Sequence, residues 1–496
     1  MIDTAALREK VLDLAIRGKL VPQDPTDEPA SVLLERIHEQ KLQMVREGKL
    51  KAKDVKDDTI IFKGDDNCYY EKYSDGSVKN IQDEIPFDLP VGWSWERLSN
   101  LAAFSGGKTP STSNRDYWGG NVLWVTSKDM KSKYIDSSLL MISEKSLEQM
   151  QLYPENTLLL VTRSGILRHT IPVAILKKPA TINQDLKAIM PYALNLGEYI
   201  YICIKGMESR LILEYTKAGA TVENINFDAF QKILLPIPPE NQIQRIVLAV
   251  NKVDEIIVKL KIDQDDLIDI IGKTKSKILE LAIQGKLVPQ DENDEPANVL
   301  LERIRTERKA KLGKKYVESY IFKGDDNCYY ENNVNNPVEI PFVLPKNWAF
   351  SRLADIAWLE DGVKIDGEQL PYLDAKTIRG KQTASMLSCG KVIEKGMQVI
   401  LVDGENSGEV FEVPCRGYIG STFKVLQVSY GIEKSYVKLI LDFYKNLFKD
   451  NKTGSAIPHL NKKIFKSLIV AISPVGEQKL IVEKVNLVTE ILKDGV

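Results

Sequence analysis

The chain is poor in the residues that mark many metal centres and disulfide scaffolds. Its five cysteines are scattered, with no two at a C-x-x-C spacing, which speaks against a zinc ribbon or a disulfide framework and predicts reduced thiols in a cytoplasmic protein. Three histidines, His38, His169 and His459, stand too far apart to suggest a metal site. No apolar run approaches membrane length, and the first residues mix charged with apolar side chains rather than forming a signal peptide. Charge of one sign is also missing: 67 Lys and Arg balance 69 Asp and Glu, for a net charge of −2. The distribution says slightly more. Residues 86–236 carry 16 basic and 14 acidic side chains and residues 341–472 carry 18 and 14, so the remainder is acidic. A mild positive bias in two regions is compatible with a nucleic-acid partner and does not identify one.

Catalytic motifs are missing as well. Gly106-Gly-Lys-Thr109 resembles a phosphate loop, but position 102 is Ala102 where the motif needs glycine, and Pro110 stands where its helix should begin. Ile237-Pro-Pro-Glu240 approaches the Asn/Asp-Pro-Pro-aromatic motif of amino-methyltransferases without the amide or carboxylate, or the aromatic, that such chemistry requires. No Gly-rich strand-turn-helix suited to S-adenosylmethionine is visible. The expectation is a non-catalytic chain with no metal and no bound cofactor.

Most of the chain occurs twice. LDLAIRGKLVPQD from Leu12 returns as LELAIQGKLVPQD from Leu279, an offset of 279 − 12 = 267. IFKGDDNCYYE from Ile61 recurs from Ile321 (offset 321 − 61 = 260), and EIPF from Glu84 recurs from Glu339 (offset 339 − 84 = 255). A fainter echo pairs Gly219-Ala-Thr-Val222 with Gly454-Ser-Ala-Ile457, and Pro239 with Pro474 (offset 474 − 239 = 235). Tandem duplication predicts a pseudo-two-fold molecule.

From Gln242 to about Gln284 there is no proline, and Ile246, Val250, Val253, Ile257, Leu260, Leu267, Ile271, Ile278 and Leu281 step by threes and fours. This is the seam of a helix about 60 Å long that pairs with another helix. Its second copy is split between the termini. Ile481, Val485, Val488 and Leu492 match its first half, while Leu7, Val11 and Leu14 match its last turns. The two terminal segments are therefore expected to meet and together partner the central helix, as in a ring opened inside a helix.

Charged helices are predicted from Ser31 and from Asn298 to about Lys311, and the IFKGDDNCYYE blocks read as hairpins or tight turns. Beyond EIPF-x-LP-x-x-W lie β-rich runs at 122–127, 157–165, 171–176 and 397–404, followed by helical stretches at 196–217 and 435–449. The domain reading is a helical segment at 1–58, connector 59–85, head one 86–239, central helices 240–312, connector 313–340, head two 341–473 and a closing helix 474–496. The fold class is mixed α/β (α+β): two globular heads joined by two long antiparallel coiled-coil helices. The frames agree closely while the head interiors barely align, so the heads are expected to recognise different things.

The heads carry loop chemistry suited to DNA. In head one, GGKTPSTSNRDYWGG places Lys108, Thr109, Ser111, Asn114 and Arg115 beside Tyr117 and Trp118 on a glycine-flexed loop. The bland alternative is that the two aromatics fill the core. Lys128, and Arg163 with Ser164, stand at two further strand-to-loop exits. Head two presents Lys376, Arg379 and Lys381 in one loop, then Asn406 and Ser407, then Lys424.

GGKTPSTSNRDYWGG followed by WVT, VTRSG, Ile182-Asn-Gln-Asp-Leu-Lys187 and LPIPP before a long helix resembles a DNA target-recognition domain. The duplicated layout of head, helix, head, helix resembles the specificity subunit of type I restriction-modification enzymes. Head two departs from the pattern, with Glu360-Asp-Gly-Val-Lys364 in place of the Gly-Gly-x-Thr-Pro loop and Ser-Thr-Phe-Lys424 in place of Asn-Gln-Asp-Leu-Lys187. The resemblance adds Lys187 and Lys364 to the expected contacts. It implies a non-catalytic subunit reading a bipartite sequence in double-stranded DNA, one half-site per head. The helices would dock two DNA adenine methyltransferase subunits, which use S-adenosylmethionine, and restriction/translocase subunits would join with ATP and Mg2+. Alternatives are the specificity subunit of a fused nuclease-methyltransferase system and a coiled-coil scaffold whose heads bind protein.

Overall fold

The structure, a computed structural model, describes residues 1–496 apart from 53, 54, 56, 57, 218–221, 333, 335, 454–457, 495 and 496. The echo between residues 219–222 and 454–457 therefore falls largely outside the described residues. The chain divides into two compact units, Met1–Asp263 and Gln264–Val496, and the division falls within the helix Glu240–Ile283.

Unit one opens with the helix Thr4–Ile16, whose free N–H groups are capped by the Asp3 carboxylate accepting from Ala5 and Ala6. Its most buried residues are Leu12, Ala15 and Ile16, which share one hydrophobic cluster with Ile243, Ile246 and Val250 of the long helix. Arg8 pairs with Asp254 at 3.0 Å. Further along, Gln23 and Gln242 both accept from the Trp93 indole, at 3.1 and 3.0 Å. Rising numbers on one segment thus meet falling numbers on the other, which is an antiparallel pairing. The expected seam is rotated here: Leu7 is 37% exposed and Val11 and Leu14 are half-buried. The reason is a second neighbour, the helix Leu196–Gly206, where a Cβ on Gly206 would lie 3.1 Å from Ile16. Unit two repeats the pattern with the C-terminal helix Val475–Asp494, whose Ile481 and Val485 join Ala282, Ile283 and, at the margin, Ile278. There the Trp348 indole donates to Gln290 and Glu477, at 3.1 and 2.8 Å. Elsewhere on the long helix Val253, Leu260 and Ile271 are half-buried and Leu267 is 39% exposed; Val488 and Leu492 are half-buried too.

Each IFKGDDNCYYE block is an antiparallel hairpin, Ile60–Lys63 with Tyr69–Lys72 and Ile321–Lys323 with Tyr329–Glu331. Its turn puts Asn67 and Asn327 at φ 64° and 65°, a left-handed conformation asparagine tolerates. The hairpin packs against the base of its head. Arg97 spans the Glu71 carboxylate at 2.7 Å and the Lys232 carbonyl at 2.7 Å. Arg352 does the same with Glu331 and the Ser467 carbonyl.

The heads share a topology that their sequences conceal. Each starts and ends in a two-stranded pair, Ser94–Arg97 with Leu234–Ile237 and Ala349–Arg352 with Ile469–Ile472. Head one has a five-stranded sheet in the order Ala102–Gly106, Leu186–Pro191, Leu158–Val161, Val173–Leu176, Tyr134–Ile135. Head two has Ala357–Glu360, Phe423–Val428, Gln398–Leu401, Val410–Glu412 in the corresponding order. A second sheet places Trp118–Val125 parallel to Ala180–Ile182 and antiparallel to Leu140–Ile142; in head two Val363–Leu373 is parallel to Gly417–Ile419 and antiparallel to Met386–Ile393.

Candidate nucleic-acid interface

In head one, three loops converge on the segment Ile182 to Lys187. The Ile182 carbonyl accepts from Lys108 N at 3.0 Å, Asn183 N donates to the Val125 carbonyl at 3.0 Å, and the Asp185 carbonyl accepts from Thr162 N at 2.8 Å. Lys187 lies opposite Gly106 in the ladder. The exits bearing Lys108, Lys128 and Arg163 are thereby gathered at one end of the sheets. The glycine pair has a steric cause: a Cβ on Gly107 would lie 2.1 Å from the Asn183 carbonyl oxygen and 2.3 Å from that of Ile182. The phosphate-loop likeness is thus a close backbone crossing.

Lys108, Arg115, Lys128 and Arg163 are exposed, and among the described residues none joins an ion pair. Lys187 is half-buried with its ammonium 5.4 Å from the Phe227 ring centre. The other predicted residues are engaged within the loop. The Trp118 indole donates to the Ser111 carbonyl at 3.2 Å and its ring meets Trp124 edge-on at 5.1 Å. Trp124 donates to the Lys108 carbonyl at 3.1 Å, so the two indoles hold the loop in place. The Tyr117 hydroxyl accepts from Gln149 at 2.9 Å. Asn114 accepts from Asp116 N at 3.1 Å, capping the short turn Arg115–Tyr117. Ser164 caps the next turn, accepting from Ile166 N. Thr109 donates its hydroxyl to the Gln184 side chain. Gln184 is exposed beside these cations, and residue-by-residue reasoning passed over it. Its signal was its place inside the INQDLK segment.

Head two is electrostatically different. Lys364, Lys376 and Lys381 are exposed, and among the described residues none is ion-paired. Arg379 is bound to Glu409 and stacks 5.2 Å from the Phe411 ring centre. Lys424 binds Asp361 at 2.7 Å. Asn406 is exposed, whereas Ser407, 2% exposed, is enclosed and does not reach the surface.

The family model of the type I restriction modification DNA specificity domain matches residues 90–265 and 345–493. The chain belongs to that family. It is 23% identical over 553 aligned residues to the EcoAI specificity subunit of Escherichia coli, covering 97% of this chain and 88% of that one. To the MjaIX specificity subunit of Methanocaldococcus jannaschii it is 25% identical over 294 residues, covering 58% and 57%. Another Escherichia coli type I specificity subunit is 34% identical over 165 residues, 33% of this chain and 41% of the relative. The chain thus matches less than two thirds of the length of the last two relatives. A chain of a solved structure, described as the basis of complex assembly and conformational transition of the type I R-M system, shares the fold. Its TM-score is 0.52 at 14% identity, over 82% of this chain and 93% of that one.

Proposed function

We propose that this chain is the non-catalytic DNA-recognition subunit of a type I restriction-modification system, each head reading one half of a bipartite duplex target. The observation that carries this reading is the convergence of Lys108, Lys128 and Arg163 around one segment of head one, with no acidic partner for them among the described residues. Such cations can take phosphates, and an arginine at a loop tip can take a guanine edge in the major groove. The exposed apolar side chains Leu248, Ile256, Val258 and Ile262 of the long helix support docking of protein partners. Those partners are two DNA adenine methyltransferase subunits, which bring S-adenosylmethionine, and restriction/translocase subunits, which bring ATP and Mg2+.

The test is the triple variant Lys108→Ala, Lys128→Ala, Arg163→Ala in the assembled methyltransferase. Duplex binding is expected to weaken and its salt dependence to flatten, by about one logarithmic unit for each phosphate no longer neutralised. If one of the three reads a base, methylation is expected to relax at one position of the target, at a cost of about 1–3 kcal/mol. Unchanged binding and unchanged methylated sites would reject this surface. A wild-type assembly whose duplex binding ignores salt would favour a protein-binding scaffold.

A further inference from the structure

One position is chemically inverted between the heads. In head one Ala102–Gly106 pairs antiparallel with Leu186–Pro191, with Ser105 opposite Ala188 and Gly106 opposite Lys187. In head two Ala357–Glu360 pairs with Phe423–Val428, with Glu360 opposite Val425. One step further along the same ladder brings Asp361 to Lys424. Lys187 and Lys424 are therefore equivalent lysines, facing glycine in one head and aspartate in the other.

The difference is filled by charge. A Cβ on Gly106 would lie 3.1 Å from the Lys187 ammonium, so nothing larger than hydrogen stands there. Asp361 instead takes the Lys424 ammonium on both carboxylate oxygens, each at 2.7 Å, and also binds the Lys391 ammonium. Hydrogen bonds from Lys391 and then Lys424, with their charges, hold the pKa of this exposed carboxylate down to about 2. Two ammonium groups converging on one anionic group is also how a phosphodiester is held.

We propose that Lys391 and Lys424 form a DNA-phosphate site in head two that Asp361 occupies in the free protein, while the equivalent lysine of head one, Lys187 beside Gly106, has no carboxylate partner among the described residues. This rests on the DNA-binding reading above. A duplex must displace the carboxylate to gain both lysines, so head two contributes less to non-specific binding than its lysine content suggests. Head one supplies the first electrostatic hold.

The probe is a mixed-sequence 30-base-pair duplex, titrated across salt against the full-length chain in its methyltransferase assembly. Asp361→Asn is expected to tighten binding about three- to tenfold and to steepen the salt dependence by about one unit, as for one further phosphate neutralised. Adding Lys424→Ala to Asp361→Asn is expected to remove that gain. Gly106→Asp is expected to loosen binding by a similar factor, since its carboxylate would meet Lys187. Glu412→Gln, which neutralises another exposed carboxylate of head two, controls for net charge. An equal gain in that control, or no gain in Asp361→Asn, overturns the proposal and leaves the DNA-binding reading standing. A wild-type assembly that binds no duplex overturns the reading itself, and the proposal with it.

Discussion

Glu96 is 7% exposed at the base of head one, and one of its carboxylate oxygens accepts from Arg97 N and from the Asn100 side chain, each at 2.7 Å. Burial pushes its carboxyl up to about 7; the hydrogen bonds and the Lys41 ammonium oppose this, and Asp58 adds to it. The folded state thus binds this proton more tightly than the unfolded chain does. The stability it contributes is complete below the ordinary carboxyl range and is lost as pH rises toward 7. Glu96→Gln keeps the acceptor oxygen and removes the ionisation. The variant is expected to be more stable than wild type at pH 8, by about 3 kcal/mol at most, and nearly equal at pH 4.5, as read by urea unfolding at both pH values. A wild-type advantage at pH 8 would show that the charged form is the better held. Gly18 provides a second test at this scale. With φ at 66°, its added Cβ would lie 2.6 Å from the Pro90 ring and 2.9 Å from Trp93, whereas Gly48, at φ 70°, has nothing within 4 Å. Both alanine variants carry the backbone strain, so Gly18→Ala is expected to lower the melting temperature further, by the equivalent of about 1–3 kcal/mol for overpacking.

At the scale of elements, the duplicated hairpins owe their place to an arginine at the end of each head's first strand. Arg97 joins Glu71 and Glu84 to the head, and its partner Glu71 is 3% exposed. Removing the arginine leaves a buried carboxylate unpaired, so Arg97→Ala is expected to cost about 3–5 kcal/mol. Arg352→Ala is expected to cost less, because the side chains of Arg352 and Glu331 are 24% and 12% exposed against 12% and 4% for Arg97 and Glu71. Chemical unfolding followed separately in each unit checks the order. The hairpin itself was readable from Gly-Asp-Asp-Asn between aromatics. Its anchoring was not, because Arg97 and Glu71 are 26 residues apart and pair only once the head has formed.

For the molecule as a whole, duplication is the governing fact, and on the proposed function it predicts modular recognition. Exchanging residues 86–236 for the head of another family member is expected to change one half of the methylated sequence and to preserve the other half and the gap, read by sequencing methylated adenines. Altered bases in both halves would mean that the heads act jointly. The exchange is structurally feasible because both chain crossings into head one lie in a single antiparallel pair, Ser94–Arg97 with Leu234–Ile237, which keeps the two ends of the inserted domain together.

The sequence by itself determined the duplication, the long helix, the hairpins, the positions of several strands and the family, because local periodicity, turn chemistry and repeated blocks are all written along the chain. Only the tertiary structure decided that four strands of the main sheet follow the same order in the two divergent heads, since a sheet constrains burial and hydrogen-bond pairing and leaves residue identity free. It also turned Leu12, Ala15 and Ile16 inward, left Val11 and Leu14 half-buried and put Leu7 at the surface, because the N-terminal helix packs against two helices at once. Within the loops, composition could not separate cations left free from cations already held. Among the described residues Lys108 and Arg163 have no carboxylate in reach, while Lys424 does, and that depends on a partner 63 residues away brought alongside by the sheet.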